Sequence, residues 1–196
     1  MTRRADGAST ARAYSHLYAD TVRLLDGWSA PDPGQEELRR AYASFLASHP
    51  DGVAKAGPPQ HLTASCLVLD DTGERVLLTL HRKARRWFQF GGHLEQGDPS
   101  VWHAARREAR EESGLGDLEP LADPVQLDRH LLPEQFGHCR EHLDVRFAAR
   151  APVGASPRVS AESLDVRWWP VADLPEGVDE DLSTLVDRSR RALGLG

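Results

Sequence analysis

The chain is poor in several things that would each have settled its class. It has two cysteines, Cys66 and Cys139, in 196 residues, too few for the disulfide framework on which small secreted domains depend. Cys66 lies in an apolar run and reads as a small core residue, and a reducing cytoplasm fits such cysteine usage. No run of 18 residues is apolar and uncharged, so no membrane span is expected. The leading MTRRADGAST has basic residues with no apolar stretch behind them, which is not the pattern of a secretory signal. Cations are outnumbered: 24 Lys and Arg face 30 Asp and Glu, for a net charge of −6 and a pI near 5.8. That balance argues against a nucleic-acid scaffold held by a broad basic face. An anionic partner would need local help, from a metal ion or from a cluster such as His81, Arg82, Lys83, Arg85 and Arg86. No internal repeat is evident. The 40% hydrophobic content is enough to bury a proper core and suits one domain plus an extension.

Organisation changes near residue 57. From about Ala11 to Trp28 the residues Tyr14, Leu17, Tyr18, Val22 and Leu25 recur mostly at spacings of three and four, and Leu38, Tyr42, Phe45 and Leu46 do so between about Gly34 and His49. Both stretches predict amphipathic helices. Residues Pro50 to Gln60, with three prolines and two glycines, read as a linker. Residues 1–57 are therefore expected to be a helical pair that caps the rest or packs a homodimer, and 58–196 a catalytic domain. The segments HLTASCLVLD and ERVLLTLH, joined by a turn at Asp71 to Gly73, predict a hairpin. A short apolar run, Trp87 to Phe90, leads into Gly91 and Gly92, and a helix is expected from about Pro99 to Ser113, ended by Gly114. Strands near Pro124 to Leu131, His142 to Arg150 and Leu164 to Trp169, then a helix from about Asp179 to Leu193, complete an α/β reading: a mixed sheet flanked by helices.

Chemistry concentrates on the helix after the double glycine. At 100° per residue, Glu111 lies about 60° to one side of Glu108 and Glu112 about 40° to the other, so three carboxylates share one stripe. Left alone they repel. Two readings of the helix are open: a solvated face on which Arg106, Arg107 and Arg110 pair locally with the acids, or a site for a divalent cation such as Mg²⁺, completed by phosphate oxygens and water.

Residues 91–115, GGHLEQGDPSVWHAARREAREESGL, resemble the Nudix box, in which glycine, glutamate and an R-E-U-x-E-E-x-G-U run recur at fixed spacing, U being aliphatic. The second half matches from Arg107 to Leu115. The first half departs twice: Asp98 stands for the first glutamate, and one extra residue precedes Arg107. Asp98 and Pro99 make a good helix start as N-cap and first helical residue, so a loop can absorb the insertion. The likeness also takes in HLTASCLVLD and SLDVRWWPVADLP, about residues 60 to 190 in all.

That resemblance implies an α/β/α sandwich of the Nudix type and Mg²⁺-dependent hydrolysis of a phosphoanhydride in a nucleoside diphosphate linked to another moiety, with Mn²⁺ able to substitute. It makes Glu108, Glu111 and Glu112 metal ligands, with a backbone carbonyl of Gly91 or Gly92 completing the shell, and Arg107 the group that orients a glutamate. It does not fix the base, which family members place on different elements; the candidates are Glu111 first, then Glu134, Glu141 and Asp144. His93, Arg86 and Trp87 are the substrate-contact candidates, as a phosphate contact, a cation and a stacking ring, with Glu95 and Glu162 weaker. The group His138, Cys139 and His142 has the look of zinc ligands but lacks a second ligand pair, and is expected to be surface or substrate-lining. Two other classes compete: a catalytically silent Nudix module that binds a nucleotide for regulation, and an isomerase of isopentenyl diphosphate, which would want a cysteine near WFQFGGHLE where there is none.

Overall fold

The computed structural model describes residues 7–133, 137–161 and 163–195. Its helices are α1 (Gly7–Ala13), α2 (Ser15–Gly27), α3 (Pro33–Ser48), α4 (Val101–Ser113) and α5 (Leu182–Ala192). Its strands are β1 (Gln60–Leu69), β2 (Arg75–His81), β3 (Trp87–Phe88), β4 (Phe90–His93), β5 (Gln126–Leu131), β6 (Glu141–Arg150) and β7 (Ser163–Pro170). The sheet has the order β3-β2-β1-β6-β5, with β4 on β1 and β7 on β2. Two compact units can be distinguished. One holds the chain up to Ala64 with His93–Ala104 and Leu127–Val145. The other holds Ser65–Gly92, Ala105–Gln126 and the chain from Arg146 onward.

In the first unit the expected helix from Ala11 to Trp28 is two helices, broken at Tyr14, whose φ of −106° and ψ of 13° leave the helical region. Three helices thus precede the sheet, and the expected pair is corrected to that extent. Helix α3 begins as an Asp-Pro start should: Asp32 accepts the Gln35 N–H at 3.0 Å and Pro33 supplies the first helical residue. Helix α3 is tied to β5 and β6 by polar bonds to main chain. Gln35 Oε1 accepts the Leu127 N–H at 2.6 Å while Gln35 Nε2 donates to the Leu127 carbonyl at 3.0 Å, so one amide side chain pairs both backbone groups of a buried strand residue. Tyr42 donates its hydroxyl to the Asp128 carbonyl, and the Asp144 carbonyl lies 3.3 Å away. Gln35→Ala should therefore cost about 2–4 kcal/mol, because two buried backbone groups lose their partner at once; urea unfolding measures it, and a cost below about 0.5 kcal/mol would show that these bonds do not anchor the helices.

In the second unit the strand period of two sorts residues between two apolar layers. Cys66, Val68, Leu77 and Ala149 pack with Phe90, Ala109, Leu115 and Leu118, which brings α4 onto one face. Leu67, Leu69, Val76, Leu78 and Ala148 pack with Leu182, Leu185 and Val186, which brings α5 onto the other. Burial on both faces explains why β1, which alternates through His61, Thr63 and Ser65, becomes continuously apolar from Cys66 to Leu69. The hairpin forms in the expected place, with Val68 opposite Leu77 and Leu69 opposite Val76. Asp70 closes its turn by accepting from the Glu74 N–H at 3.0 Å and the Arg75 guanidinium at 2.8 Å. Trp168 and Trp169 of β7 divide between the two layers, each partly buried. Arg146 of β6, 2% exposed, is the largest fully buried side chain among the described residues and pairs with Asp181 just before α5.

Candidate active site

Helix α4 opens two residues later than its sequence suggests. The Ser100 hydroxyl accepts the His103 N–H at 3.2 Å, and Asp20 accepts the Val101 N–H at 2.9 Å. Asp98 is not the cap, because its buried carboxylate is spent on the Glu95 N–H at 2.8 Å, closing the loop after β4. Ser100, one position before the helix, is the residue whose short side chain reaches the third amide. The far end of α4 is as expected: Gly114 has φ of +70° and donates to the Arg110 carbonyl at 2.9 Å.

On α4 the arginines divide by face. Arg106 and Arg110 both reach Glu119, Arg106 at 3.3 Å and Arg110 at 2.5 Å, and Arg110 also donates to the Leu118 carbonyl at 2.9 Å. Arg107 turns to the carboxylate stripe, 2.9 Å from Glu108 and 3.4 Å from Glu111. The solvated-face reading is therefore half true: local pairing exists, but two of the three cations are drawn to an acid outside the stripe.

The double-glycine turn closes the other side. Glu112, 7% exposed, accepts the Gly91 N–H at 3.1 Å. Gly92 lies so near Glu108 that an added Cβ would sit 2.5 Å from its Oε1 and 2.7 Å from its Cδ. The main chain thus approaches the Glu108 carboxylate as only glycine permits. Two carboxylates held against a turn and a third, Glu111, with 62% of its side chain exposed form an oxygen-rich, acidic donor set that fits a hard divalent cation.

Other candidates are engaged elsewhere. Arg86 donates to the carbonyls of Gly177 at 2.7 Å and Val178 at 3.1 Å and pairs with Asp179 at 3.1 Å. Trp87 packs edge-on against Trp169, ring centroids 5.2 Å apart, with the Arg167 guanidinium 5.9 Å over it. Glu141 pairs with Arg129 and accepts from Gln60, and buried Asp144 accepts the Thr63 hydroxyl at 2.9 Å. Glu134 and Glu162 lie outside the described residues. His93 belongs to a histidine group with His61 and His142, the three ring centroids 5.1 to 5.2 Å apart. His138 is not among these three and lies 2.9 Å from the Gly57 carbonyl. Burial, aided by neighbouring positive charge, holds the His93 imidazole down to about 3, and burial with the nearby histidines does the same for His142.

The NUDIX domain family model matches residues 59–188. A NUDIX-family hydrolase from Clostridium perfringens superposes with a TM-score of 0.55 at 23% identity, over 68% of this chain and 97% of that one. An Ap4A hydrolase from C. elegans, in a binary complex, does so at 0.54 and 15%, over 68% and 97%. The NUDIX domain of Shewanella oneidensis NrtR, crystallised with ADP ribose, does so at 0.55 and 21%, over 77% and 97%. At these identities the likeness is one of fold. No curated protein matches the chain. Among the described residues no helix is long and apolar enough to cross a membrane. The family match over two thirds of the sequence, on a mixed sheet between helices, places the chain in the NUDIX superfamily.

Proposed function

We propose that the chain is a Mg²⁺-dependent pyrophosphohydrolase that cleaves a phosphoanhydride in a nucleoside diphosphate linked to another moiety, with Mn²⁺ able to replace Mg²⁺. The observation that carries this reading is the closure of the Gly91–Gly92 turn onto Glu108 and Glu112, with Glu111 beside them on the same helix face. Glu108, Glu111 and Glu112 would hold the ion, with the Gly92 carbonyl as a main-chain ligand. When bound, the ion neutralises the charge that gathers on the bridging and leaving phosphate oxygens. Arg107 fixes the direction of the Glu108 carboxylate by a charge-assisted hydrogen bond. Glu111, the least buried of the three, takes the proton of the attacking water. Residues 1–57 precede the family match and brace β5 and β6 through Gln35 and Tyr42, outside the chemistry.

A substrate panel tests the reading: nucleoside triphosphates, nucleotide sugars, ADP-ribose, dinucleoside polyphosphates and coenzyme A, each with Mg²⁺, Mn²⁺ or EDTA. Release of phosphate or a monophosphate from at least one of them, abolished by EDTA and restored by excess Mg²⁺, is the expected result. Release that EDTA leaves unchanged would sink the proposal, and tight nucleotide binding with no release would favour the regulatory module instead.

A further inference from the structure

Outside the carboxylate stripe, His61 on β1, His93 at the end of β4, Cys139 and His142 at the start of β6 converge. One donor atom from each, Cys139 Sγ and a ring nitrogen of each histidine, lies within 4.8 Å of every other. The Cys139 sulfur is 3.8 Å from His93 Nε2. None of the four is exposed: His61 is fully buried, Cys139 is 6% exposed, and His93 and His142 are half-buried. The sequence showed only Cys139 and His142 of this set. The second pair comes from strands about 46 and 78 residues upstream of Cys139, brought together by the fold.

A histidine cluster of this kind can be plain packing, since imidazoles stack and fill space. Two details speak against that. His61 Nε2 and His142 Nε2 are buried with no hydrogen-bond partner, and burying an unsatisfied polar nitrogen is costly, so a core built only to be filled would use apolar rings there. In addition, His61 Nδ1 lies 3.0 Å from the Pro58 carbonyl. That bond requires the proton on Nδ1, which leaves the buried Nε2 as the ring nitrogen with a lone pair to offer a metal ion. A backbone carbonyl behind an imidazole is the arrangement that orients and polarises a metal-ligating histidine.

We propose that His61, His93, Cys139 and His142 bind one Zn²⁺ ion as a closed, four-coordinate structural site, distinct from the magnesium-type site on α4. The donor set is three imidazole nitrogens and one thiolate, which suits zinc and disfavours Mg²⁺, a cation that takes oxygen ligands. Tetrahedral bonds of ordinary length place nitrogens about 3.3 Å apart and nitrogen and sulfur about 3.6 Å apart. The His93 to Cys139 separation already fits, and no pair, all lying within 4.8 Å, has to close by more than about 1.5 Å, which side-chain rotation supplies. On binding, the Cys139 thiol gives up its proton to solvent and the imidazoles bind as neutral ligands, so the occupied site carries one net positive charge. With four protein ligands no position is left for water or substrate, so the ion would clip β1, β4 and β6 together and take no part in turnover. The proposal stands independently of the hydrolase reading.

The test uses the full chain produced without a polyhistidine tag, in zinc-supplemented medium. Elemental analysis should find about one zinc per chain, and stripping it with 1,10-phenanthroline should lower the thermal midpoint by about 10 °C, regained on adding Zn²⁺. Replacing zinc with Co²⁺ in excess Mg²⁺ should give the sulfur-to-cobalt charge-transfer band of a thiolate ligand. That band should vanish in Cys139→Ser and persist in Cys66→Ala. Should Cys139→Ser fail to fold, Co²⁺ titration of the stripped wild-type chain gives the same information. Zinc well below one per chain with no cobalt band after reconstitution would overturn the assignment, as would full zinc occupancy in a Cys139→Ser, His142→Gln double variant.

Discussion

Gly92→Ala should lower turnover by about 10²- to 10³-fold while moving the thermal midpoint by no more than about 3 °C. The new methyl would lie 2.5 Å from Glu108 Oε1, closer than non-bonded atoms tolerate, so something must move. What it meets is the end of a flexible side chain, so the fold adapts cheaply by swinging that carboxylate away. The function does not adapt as cheaply: Glu108 is held 2.9 Å from Arg107, and displacing a positioned group by about an ångström costs on the order of a hundredfold in rate. Gly97→Ala is the control, since a Cβ there meets nothing within 4 Å. Steady-state kinetics and calorimetry on the two variants read the contrast. Equal turnover in both would show that the Glu108 carboxylate need not stay against the glycine turn.

The same contact shows what could be read from the sequence. A helical stripe is legible because its period is local, so Glu108, Glu111 and Glu112 fall on one face of α4 whatever surrounds them. The hairpin from β1 to β2 is legible for the same reason, as is the Asp-Pro start of α3. The start of α4 is not, because Asp98 and Ser100 are both good caps and the choice was made by the Glu95 amide, a loop contact with no sequence period. The break at Tyr14 was likewise hidden under an apolar spacing that runs on through it.

The histidine cluster lies furthest from local reading. Its members are separated by 32, 46 and 3 residues along the chain, and only the last interval is short enough to form a motif. One weak signal was present. In HLTASCLVLD a histidine stands at the head of a strand buried from His61 to Leu69, and another follows directly on Gly92. A polar ring at the start of an apolar strand asks for a partner, and that partner had to come from elsewhere in the chain. Cys139 and His142 alone lack a second pair of donors, and the fold sets His61 and His93 beside them.

Glu111→Gln should reduce kcat by about 10³-fold with stability unchanged. Its neighbours cannot give so clean a result: Glu112 is buried and accepts the Gly91 N–H, and Glu108 fills the space behind Gly92, so loss of activity on changing either mixes chemistry with structure. Glu111 has 62% of its side chain exposed, and its one described ion pair, to Arg107 at 3.4 Å four residues away, is worth about 0.3–0.5 kcal/mol on a helix. Glutamine keeps the shape while removing the charge and the basic oxygen, so it cannot take a proton and is a weaker ligand for a hard cation. If Glu111 takes the proton from water, kcat falls, KM holds, and the acidic limb of the pH profile, which reports deprotonation of the base, disappears. If Glu111 serves only as a ligand, activity returns as Mg²⁺ is raised and the acidic limb remains. Wild-type kcat at low Mg²⁺ in Glu111→Gln would remove Glu111 from both roles and leave Glu108 and Glu112 as the only acids of the stripe able to hold the ion.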